Sequence, residues 1–323
     1  MSKDLLKVED LRVYYPIKDG FPWSRSRYIK AVEGVAFEIK EGETLGLVGE
    51  SGCGKSTTGR AILRLVEPQK GSKIFFEDQN ILEYDKRKMI HFRKKVQIIF
   101  QDPYGSLNPR MTLGDTLEEV LAVHGKGQPH ERRKQAAKLL DVVGLPKQCL
   151  SRYPHEFSGG QRQRVVIARA LAVEPKLIIC DEPVSALDVS VQAQIINLLE
   201  ELQREYKLTY LFISHDMAVV RHISTKVAVM YLGKIFEIAT TDELFDNPLH
   251  PYTRALLAAI PKITDKREKE KRMLLEGDVP SPLSPPTGCR FRTRCPLAKD
   301  ICAEREPGIK EPIPGHFVAC HFV

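Results

Sequence analysis

A glycine-rich segment with the residue types of a phosphate-binding loop follows the short apolar run 43–48. The segment is Gly49-Glu50-Ser51-Gly52-Cys53-Gly54-Lys55-Ser56, and a helix is predicted after it over residues 57–66, beginning at Thr57. Glycines let backbone N–H groups converge on a phosphate, and the helix start adds partial positive charge. In this P-loop pattern the lysine bridges the β- and γ-phosphates and the serine is a ligand of Mg²⁺. A plain glycine-rich turn is the alternative, but the flanking strand and helix favour a nucleoside triphosphate site.

Two carboxylates end a second apolar run, residues 177–180. Asp181 lies at the tip of the predicted strand and Glu182 directly after it. Phosphoryl transfer needs one group that holds Mg²⁺ through water and one that takes a proton from, or orients, the attacking water. Acidic residues at strand ends are often only turn formers, but a P-loop on the same chain favours the catalytic interpretation.

A second potential anion site begins at Ser158. The segment Ser158-Gly159-Gly160-Gln161 precedes an amphipathic helix predicted over 162–171, which places a hydroxyl and free N–H groups at the helix start. An ordinary helix cap is the alternative interpretation. With this second site, the chain would carry two phosphate-binding helix starts but one pair of metal-binding carboxylates, and another molecule would have to supply the other half.

The elements that position these residues are predicted to form an α/β core. Apolar runs of four to six residues suit central parallel strands covered on both faces, and helical patterns lie between them. Residues 113–153 carry helical patterns without a clear strand and predict an inserted helical subdomain. On either side of this core, the sequence predicts strands over 5–15 and 31–39 with a surface loop between them. It also predicts a hairpin formed by 227–231 and 235–238.

Composition and charge exclude several classes of protein. The 323 residues suggest about two domains, and the apolar (42%) and charged (28%) fractions are those of a folded globular protein. No apolar run reaches the roughly 18 residues of a membrane span, and Asp4, Glu9 and Asp10 are unlike a signal peptide, so we expect a cytosolic protein. The net charge is +7, but the basic clusters of the sequence have no pattern of interleaved aromatic residues that could stack on bases. This argues against a nucleic-acid partner.

Six motifs in one order resemble those of the ABC-type ATPases. They are the P-loop, Gln101 after the strand 96–100, the SGGQ segment, the acidic pair, the segment Ser185-Ala186-Leu187-Asp188, and His215 after the strand 210–213. The resemblance implies an α/β fold of the P-loop NTPase type, with a helical subdomain, an N-terminal antiparallel β subdomain and a Cys-containing C-terminal extension. It also implies that ATP is held between two ATPase domains arranged head to tail.

The resemblance carries over residue roles. Residues 49–57, Gln101, Asp181, Glu182 and His215 would face one nucleotide, with Lys55, Gln101, Glu182 and His215 catalytic and Mg²⁺ held through Ser56, Gln101 and Asp181. Ser158, Gly159, Gly160 and Gln161 would complete the partner's site, and Asp188 would communicate across the dimer. Tyr15 matches the adenine-stacking aromatic residue; Tyr14 is the alternative, and either could instead pack within a strand.

Longer stretches resemble one branch, the F-type ATP-binding subunits of bacterial oligopeptide and dipeptide permeases. These stretches are residues 30–60, 98–112, 153–169, 247–255 and 288–296. The resemblance implies a related ATPase subunit as heterodimer partner, two transmembrane permease subunits and an extracellular or periplasmic peptide-binding protein. The chain would lie at the cytoplasmic face of the bacterial inner membrane. A permease for nickel or another small solute, and a soluble non-transport ABC ATPase, are the alternatives.

The C-terminal extension contains four of the seven cysteines. We predict an ATPase domain over 1–260, with its helical subdomain at about 102–165, and an extension over 261–323 that is too short for its own apolar core. The family's tail can hold a [4Fe–4S] cluster, and Cys289, Cys295, Cys302 and Cys320 supply the four thiolates it requires. Zinc, with His316 or His321 substituting, and free thiols are the alternatives.

Overall fold

The structure is a computed structural model that describes residues 3–17, 27–125, 127–260 and 277–323. Part of the predicted surface loop after Tyr15 and the charged stretch that begins at Pro261 lie outside the described residues. Chain contacts divide the protein into two compact units. The first contains Lys40–Glu43 and Glu83–Ile213, and the second contains Asp4–Ile39, Thr44–Leu82 and Ser214–Val323. The predicted division at residue 260 is a different one and stays a prediction.

Three parallel strands form the sheet of the first unit. Their order is β8 (Thr209–Ser214), β7 (Leu177–Asp181), β6 (Val96–Ile99). Every residue of β7 and β8 is buried, as expected of apolar runs in a parallel sheet. The amphipathic helices are α6 (Gly159–Leu171) and α7 (Val189–Tyr206), and α7 buries Ile195, Ile196, Leu198, Leu199 and Leu202.

The inserted helical segment of the first unit is confirmed. Its helices include α3 (Pro103–Ser106), α4 (Leu113–Val123) and α5 (Pro129–Val142), whereas α2 (Lys86–Lys95) precedes β6 and lies outside the predicted segment. Helix α4 begins at a capping box in which Thr112 and Asp115 satisfy each other's backbone N–H groups, and α5 begins with a proline at its first position. The buried leucines Leu113, Leu117 and Leu121 recur along one face of α4.

The second unit contains the predicted antiparallel sheet near the N-terminus. Its strand order is β2 (Arg27–Lys40), β1 (Asp4–Ile17), β4 (Lys73–Phe76), β5 (Gln79–Asn80), with β1/β4 and β4/β5 antiparallel. The same unit contains α1 (Lys55–Ile62), α8 (Met217–Ile223), α9 (Thr241–Asp246), α10 (Pro251–Ala258) and α11 (Asp300–Glu304). None of the helices in the described ranges is long and apolar enough to cross a membrane.

A second set of strands in this unit joins the P-loop strand to the C-terminal extension. The order is β11 (Lys310–Ile313), β12 (His316–Val318), β10 (Lys234–Thr240), β9 (Lys226–Tyr231), β3 (Thr44–Val48). β3 and β9 are parallel, and the other pairs are antiparallel. The predicted hairpin is confirmed: β9 and β10 meet at Leu232 and Gly233, whose positive φ angles of 41° and 83° fit a type I′ turn.

The C-terminal extension shares its apolar core with the rest of this unit. Phe291 is fully buried, and its ring lies 5.4 Å from that of Tyr231 and 5.3 Å from that of Tyr252. Strand β12 pairs with β10, with Ile238 opposite Phe317. Backbone pairing and aromatic burial therefore order a segment that has too few apolar residues to fold alone.

The buried His250 makes stability depend on pH. Its Nδ1 accepts a hydrogen bond of 3.0 Å from the Tyr252 N–H at the start of α10, and burial lowers its pKa from 6.5 to about 3. Below pH 6.5 the unfolded chain therefore binds a proton at His250 that the native chain does not bind. The free energy of unfolding decreases as the pH is lowered. We expect His250 to lower the free energy of unfolding by about 2 kcal/mol between pH 7.5 and pH 5, measured by urea denaturation.

His250→Asn is the matched control, because asparagine keeps a side-chain acceptor for the helix start but does not titrate. Its stability should fall less over the same pH interval. Equal losses in the wild type and the variant would contradict the role assigned to His250.

Candidate nucleotide site

The P-loop runs from β3 to α1, and its glycines are required by close backbone packing. Gly49 and Gly54 have φ angles of 151° and 109°. A Cβ at Gly49 would lie 2.0 Å from the carbonyl oxygen of Met230, and one at Gly54 would lie 2.2 Å from that of Ala31. These distances exclude any side chain at either position, so the loop follows a path that only glycine allows.

Lys55 lies within this loop rather than in solvent. It is the first residue of α1 and is 4% exposed, and its Nζ donates hydrogen bonds to the carbonyl oxygens of Gly49 (2.7 Å) and Glu50 (3.0 Å). The first turn of α1 has no acidic residue, so no carboxylate there opposes the positive end of the helix. A buried ammonium group and a helix start thus share one loop, which suits a polyphosphate. The helix ends at Ile62, before the predicted residue 66.

Two side chains that the sequence analysis did not assign contact the P-loop. The Tyr252 hydroxyl accepts a hydrogen bond of 3.0 Å from the Glu50 N–H, and the Arg294 guanidinium forms two contacts with the Glu50 carboxylate. Both lie in stretches that resemble the permease branch, 247–255 and 288–296. That resemblance marks the stretches, but it does not say what their side chains contact.

In the first unit the structure brings Gln101 and Glu182 together. The Nε2 of Gln101 donates a hydrogen bond of 2.9 Å to Oε2 of Glu182. Asp181 ends β7 and is 2% exposed. Glu182 has a φ angle of 50°, and its N–H is held by the carbonyl oxygen of Ile213 at 3.0 Å. A carboxylate on a left-handed backbone at the end of a buried strand costs conformational energy, which is typical of functional sites.

The start of α6 is solvent-exposed and capped. Ser158 and Gln161 form a capping box, with Gln161 N–H to Ser158 Oγ at 3.4 Å and Ser158 N–H to Gln161 Oε1 at 3.1 Å. Gly160 is buried beside Val191 of α7, and Gly159 lies beside Leu187. The ordinary cap is present, and the two side chains that form it, Ser158 and Gln161, are exposed; a phosphate site at this helix start stays a prediction.

The remaining predicted residues are divided between the two units. Asp188 is the N-cap of α7 in the first unit, and its carbonyl oxygen accepts from the N–H groups of Val191 and Gln192. In the second unit His215 is exposed after β8, and the Tyr14 hydroxyl donates to Oε1 of Glu33 at 3.0 Å. Tyr15 is half-buried on β1. Their contacts with a nucleotide stay predictions.

The predicted iron–sulfur cluster is wrong. Within the described residues, no set of three or more His, Cys, Asp or Glu side chains is arranged to hold a metal ion, and Cys289, Cys295, Cys302 and Cys320 are free thiols. Burial raises the pKa of Cys289 to about 11.

The histidines offered for zinc have other partners. Nε2 of His316 lies 2.7 Å from Oε1 of the buried Glu237, and Nε2 of His321 lies 2.8 Å from the carbonyl oxygen of Arg305. These contacts, with the aromatic packing of Phe291, order the extension.

Comparisons with known proteins agree with this arrangement. A family model described as ABC transporter matches residues 32–185, and one described as oligopeptide/dipeptide transporter, C-terminal region, matches residues 236–302. The oligopeptide transport ATP-binding protein AppF of Bacillus subtilis (strain 168) is 55% identical over 99% of this chain and 98% of its own length. The oligopeptide transport ATP-binding protein OppF of Escherichia coli (strain K12) is 52% identical over 98% of this chain and 96% of its own length.

A solved structure also shares the fold. The ATP-binding cassette MJ0796, a dimer in a post-hydrolysis state bound to ADP and Pi, superposes with a TM-score of 0.64 at 29% identity. The match covers 73% of this chain and 98% of that one. The predicted α/β fold with an antiparallel N-terminal sheet is confirmed.

Gly160 is expected to be intolerant of a side chain. The Cβ of Gly160→Ala would lie 2.3 Å from Cγ1 of Val191, a stiff β-branched neighbour. Overpacking costs about 1–3 kcal/mol, against the roughly 1 kcal/mol that alanine gains over glycine in a helix. We expect the free energy of unfolding to fall by up to about 2 kcal/mol in urea denaturation.

The double variant Gly160→Ala, Val191→Ala is the control, since it removes the clashing methyl groups. It should recover stability relative to Gly160→Ala alone. A single variant more stable than the wild type, by the roughly 1 kcal/mol that alanine gains over glycine in a helix, would show that the packing between α6 and α7 is looser than described.

Proposed function

The chain belongs to the ABC transporter family, in the branch of the oligopeptide and dipeptide transport ATP-binding proteins, and we propose that it couples ATP hydrolysis to uptake of di- or oligopeptides. It is an ATPase of the ABC type, and it binds ATP. The peptide assignment rests on the match of nearly the whole chain, including its C-terminal part, to relatives that are more than 50% identical. These relatives are named for oligopeptide transport.

The P-loop binds the phosphates of ATP. Backbone N–H groups of Gly49–Thr57 and the helix start of α1 provide the anion-binding surface, and Lys55 exchanges its contacts with two backbone carbonyls for phosphate oxygens. Ser56, Gln101 and Asp181 would hold Mg²⁺, which when bound neutralises charge on the phosphate oxygens. Tyr15 stacks on the adenine.

Glu182 acts as the general base for hydrolysis. A water molecule attacks the γ-phosphorus, its proton moves to the Glu182 carboxylate, and ADP leaves. The hydrogen bond from Gln101 orients this carboxylate and links it to the water and metal that Gln101 contacts. His215 donates to the γ-phosphate and so responds to whether the phosphate is present.

A related ATPase subunit completes the site from the other side. Ser158–Gln161 of one subunit contact the γ-phosphate held by the other, and Asp188 lies at this contact. The exposed start of α6 and the dimeric state of the MJ0796 cassette support this proposal. Two or three bonds to a charged phosphate contribute about 3–9 kcal/mol at each of the dimer's two sites, and about 5.5 kcal/mol moves a two-state equilibrium from 1:99 to 99:1. Binding of ATP is thus sufficient to close the dimer, and loss of phosphate to reopen it.

The ATPase pair works on membrane partners. Two transmembrane permease subunits bind it at the cytoplasmic face of the inner membrane, and an extracellular or periplasmic receptor delivers the peptide. The match of residues 236–302 to the C-terminal region of oligopeptide/dipeptide transporters supports this assembly.

Glu182→Gln should separate ATP binding from hydrolysis. Glutamine is isosteric but cannot take a proton, and general-base catalysis contributes about 10²–10⁴-fold. We expect the rate of phosphate release by the assembled complex to fall at least about a hundredfold, with ATP still bound and the dimer trapped closed. Glu201→Gln, at an exposed carboxylate of α7, is the control and should keep the wild-type rate. Normal turnover of Glu182→Gln would remove this residue from the role of base.

The transported solute is tested on the complex purified from membranes. In liposomes with its receptor, ATP should drive accumulation of di- or oligopeptides, and a complex containing Lys55→Ala should assemble but accumulate none. Accumulation of nickel, or of another small solute instead of peptide, would refute the peptide assignment while leaving the ATPase intact.

A further inference from the structure

We propose that Arg294 of the C-terminal extension, together with Tyr252, positions the P-loop backbone for phosphate binding. The inference rests on the proposed function, because it concerns the affinity of the same loop for nucleotide. It makes the extension a working part of the nucleotide site rather than an appendage. Arg294 is here a positioning residue, since it contacts the loop and no atom that reacts.

The contact between Arg294 and Glu50 has the geometry of a strong ion pair. Nη1 of Arg294 lies 2.7 Å from Oε2 of Glu50, and Nη2 lies 3.1 Å from Oε1, so the guanidinium fork meets both carboxylate oxygens. The Arg294 side chain is 6% exposed and that of Glu50 is 24% exposed. Two-pronged, charge-assisted contacts shielded from water fix orientation as well as distance.

The main chain of Glu50 is held as firmly as its side chain. Its N–H donates to the Tyr252 hydroxyl at 3.0 Å, and its carbonyl oxygen accepts from Nζ of Lys55 at 3.0 Å and from the Cys53 N–H at 3.3 Å. Every polar group of this residue therefore has a partner. Because Glu50 follows Gly49 and leads into the phosphate-binding peptides, its orientation sets the direction of the loop.

The extension is anchored on the same part of the unit. Phe291, three residues before Arg294, is buried between Tyr231 and Tyr252, and the Tyr231 hydroxyl lies 3.5 Å from Nη1 of Arg294. Arg290 forms a second tie: its Nη2 lies 2.7 Å from Oε2 of Glu33 on β2. Arg290 and Arg294, four residues apart, thus reach from the extension to β2 and to the P-loop.

A packing role alone does not account for Arg294. Its Nε is buried without a hydrogen-bond partner among the described residues, and a buried polar atom left unsatisfied is destabilising. An apolar side chain of similar size would fill the space without that cost. The guanidinium instead provides the charge and the two-pronged contact that Glu50 requires.

Two consequences for nucleotide binding follow. A P-loop binds through backbone groups, so its affinity depends on how well the loop is preorganised. In addition, a Glu50 carboxylate without its arginine would repel the nearby phosphates. Both effects act on the phosphates that ADP and ATP share, so loss of Arg294 should weaken both nucleotides.

The test measures the dissociation constant of a fluorescent ADP analogue with Mg²⁺ on the full chain, well below its melting temperature. We expect Arg294→Gln to bind about tenfold more weakly, which corresponds to about 1.4 kcal/mol. The dissociation constant of Arg294→Lys should lie between those of the wild type and Arg294→Gln, because lysine keeps the positive charge but cannot make the two-pronged contact. Arg292→Gln is the matched control: this half-buried arginine lies in the same segment, and its Nε donates a hydrogen bond of 2.9 Å to the carbonyl oxygen of Thr287.

The double variant Glu50→Gln, Arg294→Gln isolates the charge effect. It should bind the analogue more tightly than Arg294→Gln alone, because a neutral amide does not repel phosphate. An Arg294→Gln protein that melts earlier but binds within twofold of the wild type would overturn the proposal. If Arg294→Gln does not fold, an Arg294→Lys protein that binds the analogue with wild-type affinity would overturn the proposal. Failure of the wild type itself to bind the analogue would instead refute the proposed function.

Discussion

Nucleotide binding by this chain depends on the fixed path of the P-loop backbone. Gly49 and Gly54 pass so close to the carbonyl oxygens of Met230 and Ala31 that no Cβ fits at either position. The loop's conformation is therefore set by the strands and turn packed around it, not by its own flexibility. Lys55 completes the arrangement, because its ammonium group is held by two carbonyl oxygens of the loop itself. A loop fixed in this way can present N–H groups to phosphate without first being ordered by it.

The C-terminal extension folds because it packs against the same part of the second unit as the P-loop. The extension supplies Phe291 to an aromatic cluster beside the P-loop and β12 to the edge of β10, so its core is shared. The cysteine pattern predicted a cluster because thiolate number and the small apolar content of the segment both favoured one. Aromatic burial and strand pairing stabilise the segment instead. Burial of a few large side chains is sufficient to order a short segment on an existing core.

Local features of the fold and site were predictable, whereas long-range contacts were not. Periodicity located β7, β8 and the amphipathic face of α7, and motif spacing located the P-loop and Glu182, because these signals span few residues. The family resemblance assigned Gln101 and Glu182 to one nucleotide, but their hydrogen bond to each other was not predicted. The pairing of Arg294 with Glu50 joins residues 244 positions apart, and no periodicity records such a pair. The early end of α1 at Ile62 was missed for the same reason: the following Arg64 adopts a left-handed backbone, with φ 48°, that tertiary packing imposes.

We propose that one chain provides only half of the residues that surround a bound nucleotide. The most direct measurement is a structure of the assembled ATPase pair with Mg²⁺ and a non-hydrolysable ATP analogue. The account predicts that the terminal phosphate contacts Lys55 of one subunit and the segment equivalent to Ser158–Gln161 of its neighbour. An analogue enclosed entirely by a single chain, with its own α6 start on the phosphate, would contradict it.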